Sequence, residues 1–459
     1  MSDEAGIGPV FEEPSCLCRC RWLKLLFLAV TILFPVGAAC VALSSHSRIV
    51  GFLGPAEGWL ITIGKATGLG AATLLLMQFV LSARLKLLDR LFGLDRLLRV
   101  HRLLGATAGV LACMHPLFLY ASATYEIGPV RSSAWPVYLG AAALVLLGVV
   151  ICTSLWRVFL ELPYGAWLWV HRMVFVVVVA AVVHAMRIGS DLRVGWTRVM
   201  ATAALTGYAG LFIWAKLIRP LLLGGRRFTV TAVNQLNHNV CRIELALPEG
   251  AAFRRFPGQF AFLKIRSRNV PAEEHPFTIS SGPAQDGHIQ FTIKASGDFT
   301  RLISKAAPGD LARVDGPYGL FSYALKTGPA QPLVMIAGGV GVTPMLSMLC
   351  DLSVREPDRQ TTLIWANRTE EDIFARPFLE EVSAKMANLT VHHVLSRQAD
   401  WPGEKGRLDR AKLDRLLPSI RRDLQYFLCG PGAMMDSVKS YLLKLGARRR
   451  RIHTERFSF

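Results

Sequence analysis

The sequence predicts a multidomain membrane protein: a six-helix transmembrane bundle, then an antiparallel β-barrel, then a parallel α/β domain. Three observations carry this reading. Apolar residues crowd into the first half of the 459-residue chain, in runs at about 22–43, 57–81, 102–121, 135–155, 168–187 and 197–217. Each run approaches the ~20 residues that cross a hydrocarbon core as a helix. Residues 226–323 then alternate apolar and polar side chains between turn signals, the habit of short antiparallel strands. From residue 332 apolar strand candidates alternate with helical stretches, as in a parallel sheet.

Taken in order, residues 1–21 form a polar tail, read as cytosolic, without the cleavage site of a signal peptide. Residues 22–218 make the transmembrane domain, 219–325 the barrel and 326–459 the α/β domain. The strand candidates of the barrel begin at Phe228, Val240, Phe260 and His288. Those of the α/β domain are Leu333–Ala337, Thr361–Ala366, Leu389–Leu395 and Gln425–Leu428, with helices at 343–354, 374–386 and 433–445.

Net charge is +19. It does not mark a nucleic-acid binder, because its carriers flank the apolar runs: Arg84, Lys86, Arg90, Arg96, Arg99 and Arg102, then Arg219, Arg226 and Arg227. Basic loops stay on the cytoplasmic side. Six spans therefore leave both ends in the cytoplasm, and an integral membrane protein is expected. The nine cysteines are odd in number and dispersed, so no disulfide framework is implied.

Two of the runs carry paired histidines: His101 and His115, then His171 and His184. Imidazole in lipid is costly and needs a cavity and a partner. Spacings of 14 and 13 residues separate each pair by about 20 Å along a helix. Two adjacent helices then present one histidine each to an inner and an outer layer. Facing neutral imidazoles across a flat gap suit a b-type haem held by axial ligands. Fourteen residues return to within about 40° of one face, but thirteen leave the ligands about 140° apart. The second helix must be irregular, or its histidines approach from different sides.

The α/β domain opens with Ala337-Gly-Gly-Val-Gly-Val-Thr-Pro344, glycines between a first strand and a helix, where backbone amides approach a phosphate. This marks a Rossmann-like nucleotide domain. Its last strand ends in Cys429-Gly-Pro-Gly432, at the edge where open sheets bind ligands. The barrel carries Phe256-Pro-Gly-Gln-Phe260, His275-Pro-Phe-Thr-Ile-Ser-Ser281, Gly297-Asp-Phe-Thr300 and Asp315-Gly-Pro-Tyr-Gly319. In this order, residues 226–459 resemble the ferredoxin-reductase-type flavoprotein module. Residues 22–217 resemble the ferric-reductase-like transmembrane domain. The combination resembles the NADPH oxidase and ferric reductase superfamily, particularly its compact prokaryotic oxidase-like members.

That resemblance implies roles at matching positions. Thr278 would lie against the flavin N5 edge, with His275, Pro276, Phe277, Ile279, Ser280 and Ser281 lining FAD. Gly297, Asp298, Phe299 and Thr300 would approach its pyrophosphate. Gly338, Gly339, Gly341, Thr343 and Pro344 would form the NADPH phosphate loop, with Cys429, Gly430 and Pro431 beside the nicotinamide. Phe459 would cover the flavin ring. Electrons would pass from cytosolic NADPH through FAD and two b-type haems to an acceptor on the opposite face. Dioxygen giving superoxide is the expectation; a ferric or cupric ion, or a partner protein, is the alternative. NADPH rather than NADH follows from Arg368, Ser396 and Arg397 at the ends of the second and third strands, since a 2′-phosphate calls for such donors.

Overall fold

A computed structural model describes residues 16–44, 46–122, 134–189, 195–224, 227–248, 252–283, 287–329, 331–419 and 421–456. The chain divides into two compact units, Met1–Leu217 and Ile218–Phe459.

The first unit is helical. Its elements are α1 (Cys16–Ser44), α2 (His46–Leu53), α3 (Pro55–Ser82), α4 (Lys86–Phe92), α5 (Leu94–Ala121), α6 (Trp135–Leu155), α7 (Tyr164–Arg172), α8 (Val174–Ile188) and α9 (Gly195–Ile213). Among the described residues, five helical segments are long and apolar enough to cross a membrane: Trp22–Ser44, Pro55–Ser82, Leu94–Ala121, Trp135–Leu155 and Tyr164–Ile188. The sixth expected run folds as α9 and a π-helical turn, Trp214–Ile218, and is not among the five. Arg198 and several Thr and Gly residues dilute its apolar character.

Proline starts α3 and α6, where its missing N–H costs nothing. The buried Asp89 accepts the Leu94 amide at 2.9 Å and so satisfies one of the orphan donors opening α5. α3 packs along α5, and α6 along α8. Leu74, Leu75, Ala108, Ala143, Leu147, Val177 and Val178 meet at the centre, with Phe79 and Tyr208 packed against them.

The irregularity required by the 13-residue spacing is a break at Met173, between α7 and α8. The Met173 amide bonds to Val170 O at 3.0 Å, three residues back instead of four. Such a tightened turn winds about 20° further per residue than α-helix and supplies part of the missing rotation.

The second unit begins with a short helix, α10 (Arg219–Gly224), and then builds two sheets. The first contains β1 (Phe228–Asn237), β2 (Val240–Ala246), β3 (Phe260–Arg266), β4 (His275–Thr278), β5 (His288–Lys294) and β6 (Leu311–Tyr318), with α11 (Asp298–Leu302) inserted before β6. Its order is β4-β3-β6-β1-β2-β5, and every pairing is antiparallel. The two edges approach each other through a bridge from Ile279 to Phe291, with the Ser280 amide on Gln290 O at 2.8 Å. Ile243, Leu245, Leu263, Ile265, Ile289 and Phe291 fill its interior. One of the flanking charges, Arg219, forms an ion pair with the buried Asp315 at 2.6 Å, and Tyr318 bonds to both.

After α12 (Tyr323–Lys326), the second sheet contains β7 (Leu333–Gly338), β8 (Thr361–Asn367), β9 (Leu389–Leu395), β10 (Glu404–Lys405), β11 (Gln425–Cys429) and β12 (Ile452–Glu455). The order is β10-β9-β8-β7-β11-β12, all parallel. Its crossovers carry α13 (Thr343–Arg355), α14 (Arg376–Lys385), α15 (Arg410–Leu416) and α16 (Gly432–Lys444). Every side chain of β7 and β11 is buried, as a sheet covered on both faces requires.

Candidate functional site

Three sets of residues stand out, one in the helical unit and two in the sheet unit. In the first, His101 faces His171 and His115 faces His184, each pair with ring centroids 6.1 Å apart. Two imidazoles binding one metal ion from opposite sides, each nitrogen about 2 Å from it, place their ring centres roughly 6 Å apart. Each ring also has its Nδ1 engaged. His115 donates to Gly64 O at 2.7 Å, His184 to Pro136 O at 2.7 Å and His101 to Gln78 O at 3.3 Å. The fourth, His171, meets Ser154 Oγ at 3.2 Å. A carbonyl only accepts, so Nδ1 carries the proton and Nε2 keeps its lone pair, the arrangement of metal-ligating histidines. The residues fit two axially ligated haems.

Two glycines make room for the rings. A Cβ at Gly68 would sit 2.6 Å from His115 Nδ1, and one at Gly140 would sit 2.5 Å from His184 Nδ1. Each glycine lies four residues after the carbonyl that its histidine uses, Gly64 and Pro136. The imidazole therefore slots against the helix where a side chain is missing. Neither glycine is singled out by the sequence, because the carbonyl each histidine uses has no side-chain mark.

The second set lines the first sheet's β4 edge. Thr278 is buried, and its hydroxyl has no partner among the described residues. An orphaned buried hydroxyl is costly unless a ligand satisfies it, so Thr278 fits a flavin contact. His275 stacks on Phe299 with centroids 4.1 Å apart, and Phe277 lies near parallel to Phe299. His275 Nε2 also meets Glu273 at 2.9 Å. β4 pairs Pro276 with Phe262 and Phe277 with Ala261. Ile279 is buried in the sheet core. The hydroxyls of Ser280 and Ser281 are engaged by Gln290, Thr292 and Arg255. Arg255, which the sequence reading passed over, also donates to Gly282 O. Gly297 starts α11, where Thr300 Oγ1 accepts its amide at 2.8 Å, and Asp298 is exposed.

The third set lies at the carboxyl edge of the parallel sheet. Gly338 ends β7, and Gly339 takes a left-handed φ of 53° that a side chain would strain. A Cβ at Gly341 would stand 2.6 Å from Cys429 O, so only glycine brings this loop against the end of β11. Thr343 Oγ1 donates to Val340 O at 3.0 Å, and Pro344 sits in the first turn of α13. Pro431 precedes α16. Cys429 itself is fully buried, and burial, helped by the nearby Glu455 carboxylate, pushes its thiol well above the usual range. The ends of β8 and β9 are clasped by Ser396 N on Asn367 O and Arg397 N on Arg368 O, at 3.0 and 2.8 Å. That brings Arg368, Ser396 and Arg397 together, all exposed. Glu370, the nearest following carboxylate, is taken by Arg376 at 2.6 Å. Phe459 lies outside the described residues.

Known proteins share these parts. Residues 67–182 match a ferric reductase like transmembrane component, 226–322 an FAD-binding domain and 335–440 an oxidoreductase NAD-binding domain. Over 227 residues the chain is 30% identical to NADH-cytochrome b5 reductase 1 of Pyricularia oryzae, covering 47% of this chain and 73% of that one. It is also 30% identical over 252 residues to the reductase component of a propane 2-monooxygenase from Rhodococcus jostii, covering 52% and 66% respectively. A flavohemoglobin structure from Malassezia yamatoensis aligns with TM-score 0.49 at 19% identity, covering 92% of this chain and 98% of that one. A ferric-reductase-type helical unit followed by a ferredoxin-reductase-type FAD and nucleotide module defines one group, and this NAD(P)H-dependent membrane oxidoreductase belongs to the NADPH oxidase and ferric reductase superfamily.

Proposed function

We propose that the protein moves electrons from cytosolic NADPH, through FAD and two b-type haems, to dioxygen on the opposite membrane face, giving superoxide. The observation that carries this reading is the pair of facing histidine layers, each with centroids 6.1 Å apart and every Nδ1 already bonded. When bound, FAD takes a two-electron hydride and the haems take single electrons. His101 with His171 and His115 with His184 hold the two metals. Thr278 satisfies its buried hydroxyl on the flavin, and the glycine loop 338–341 admits the pyrophosphate of the nucleotide to the start of α13. Arg368, Ser396 and Arg397 grip the 2′-phosphate, and Phe459 covers the flavin.

In this reading six spans, with α9 as the last, make a bundle over residues 22–218, after a cytosolic tail at 1–21. The first sheet closes as a barrel (219–325), and the nucleotide domain spans 326–459. Both soluble domains lie on the cytoplasmic side of a bacterial inner membrane, and no nucleic acid is involved. A second reading, supported by the ferric reductase description of residues 67–182, replaces dioxygen with a ferric or cupric ion.

The test uses purified full-length protein loaded with FAD and haem. NADPH consumption that requires oxygen, with reporter reduction abolished by superoxide dismutase, supports the oxidase. Undiminished NADPH consumption without oxygen when a ferric chelate is supplied supports the second reading.

A further inference from the structure

The two histidine layers are not held alike. In the His115/His184 layer both rings donate to backbone carbonyls at 2.7 Å. In the other layer, His101 donates to a carbonyl at 3.3 Å, and His171 meets a side-chain hydroxyl, Ser154 Oγ, at 3.2 Å. The hydrogen count at Ser154 is closed. Its single proton goes to Val150 O at 2.7 Å. Its lone pairs face two rings, the Trp167 indole N–H at 3.3 Å and His171 Nδ1. An indole N–H only donates, and the serine proton is already committed, so His171 Nδ1 must carry the proton it shares. Trp167 also lies over His171, with centroids 5.2 Å apart and planes 28° from parallel. Ser154 therefore fixes both the tautomer and the tilt of the ring.

We propose that Ser154 is a positioning residue for His171 and that the unequal hydrogen bonds give the two layers unequal reduction potentials, the His101/His171 layer the higher. The argument rests on the reading that both layers hold haem. A histidine that donates a short hydrogen bond to a strong acceptor becomes a more basic ligand, and a more basic ligand favours the ferric ion. The 2.7 Å carbonyl bonds do this for His115 and His184. At Ser154 the acceptor is a neutral hydroxyl shared between two donors, at lengths beyond the usual 2.9–3.0 Å of such bonds. His171 is left the less basic ligand. An electron entering at the His101/His171 layer then moves on to the more strongly reducing centre, where a poor one-electron acceptor is more readily reduced.

The test is a potentiometric titration of the full-length haem-loaded protein, followed by visible absorption and by electron paramagnetic resonance, for Ser154→Ala and Ser154→Thr. Each is also made in a His115→Leu background to isolate one centre. The unmodified protein is expected to titrate in two waves, with the centre that survives His115→Leu belonging to the higher one. Ser154→Ala should move that wave by about tenfold in the oxidised-to-reduced ratio, ~59 mV for one electron, and alter its resonance signature. Ser154→Thr, which keeps a hydroxyl, should restore both. Loss of that haem in the alanine variant with recovery in the threonine variant supports the same role. An unchanged wave and signature in Ser154→Ala, equal damage in both variants, or a surviving centre in the lower wave overturns the inference. Absence of haem from the unmodified protein would instead overturn the reading on which it rests.

Discussion

Gly140 tests the histidine niche most directly. An alanine Cβ there would stand 2.5 Å from His184 Nδ1 and 2.7 Å from its Cε1. Ordinary contact between such atoms needs roughly 3.5 Å, so the ring must retreat by about 1 Å. Metal–nitrogen bonds tolerate about 0.2 Å. The 2.7 Å bond to Pro136 O that orients the ring would lengthen as well. Gly140→Ala is therefore expected to convert the outer site from two axial ligands to one, or to empty it. The control lies on the same helix: a Cβ at Gly148 meets nothing within 4 Å. Replacing that glycine should be neutral, or stabilising by up to about 1 kcal/mol, because alanine is the better helix former. The assay is the haem-to-protein ratio together with the low-spin absorption of the purified protein. Gly140→Ala should fall from about two low-spin haems to about one while Gly148→Ala keeps both. Two unperturbed low-spin haems in Gly140→Ala would refute the niche.

Other expectations follow from the same geometry. Thr278→Val preserves shape but removes the orphaned hydroxyl; FAD should remain bound while flavin reduction by NADPH, measured by stopped flow, slows about tenfold or more. Arg397→Ala should raise KM for NADPH about ten- to a hundredfold with little change for NADH, since a charge-assisted hydrogen bond contributes roughly 1.5–3 kcal/mol; equal effects on both nucleotides would remove the arginine from the 2′-phosphate. Arg219→Ala removes the charge-assisted bonds to the buried Asp315 and should lower the stability of the sheet unit by about 1.5–3 kcal/mol, read as earlier thermal release of flavin fluorescence from the full-length protein. Cys429 should resist maleimide labelling at pH 8, where an ordinary thiol is partly ionised. Burial raises its pKa, so the reactive thiolate is scarcer at every pH below that value, and rapid labelling of the folded protein would contradict its placement.

Much of this architecture can be read from the chain, and the exceptions have physical causes. The strands of the parallel sheet are continuous apolar runs, so Leu389–Leu395 is recovered to the residue, and Leu333–Gly338 and Gln425–Cys429 each end one residue later than expected. Ile452–Glu455 escaped because it is four residues long with a single apolar side chain, Ile452, and its neighbour β11 lies more than twenty residues away in sequence. The four histidines stand out because charge-capable groups are rare in apolar runs. What holds them does not stand out, since backbone carbonyls of Gly64, Gln78 and Pro136 have no sequence signature. The break at Met173 is likewise silent: no proline or glycine marks it, and only the mismatch of thirteen residues with the helical period betrays it. The fate of Arg219 depends on Asp315, nearly a hundred residues away, which no local pattern reveals.

The break at Met173 makes the two histidine-bearing rods unlike. His101 and His115 share one continuous helix, α5, although Pro116 inside it removes a backbone hydrogen bond beside His115. His171 belongs to α7 and His184 to α8, joined by a single turn that can absorb torsion. A disturbance on the α7 side, at Trp167 or at the Ser154 hydroxyl it shares with His171, is confined to one layer. A disturbance in α5 propagates to both. Substitutions along the two rods should therefore fall into different classes of phenotype, single-centre on the divided side and paired on the continuous one, and the chain is free to retune one centre without moving the other.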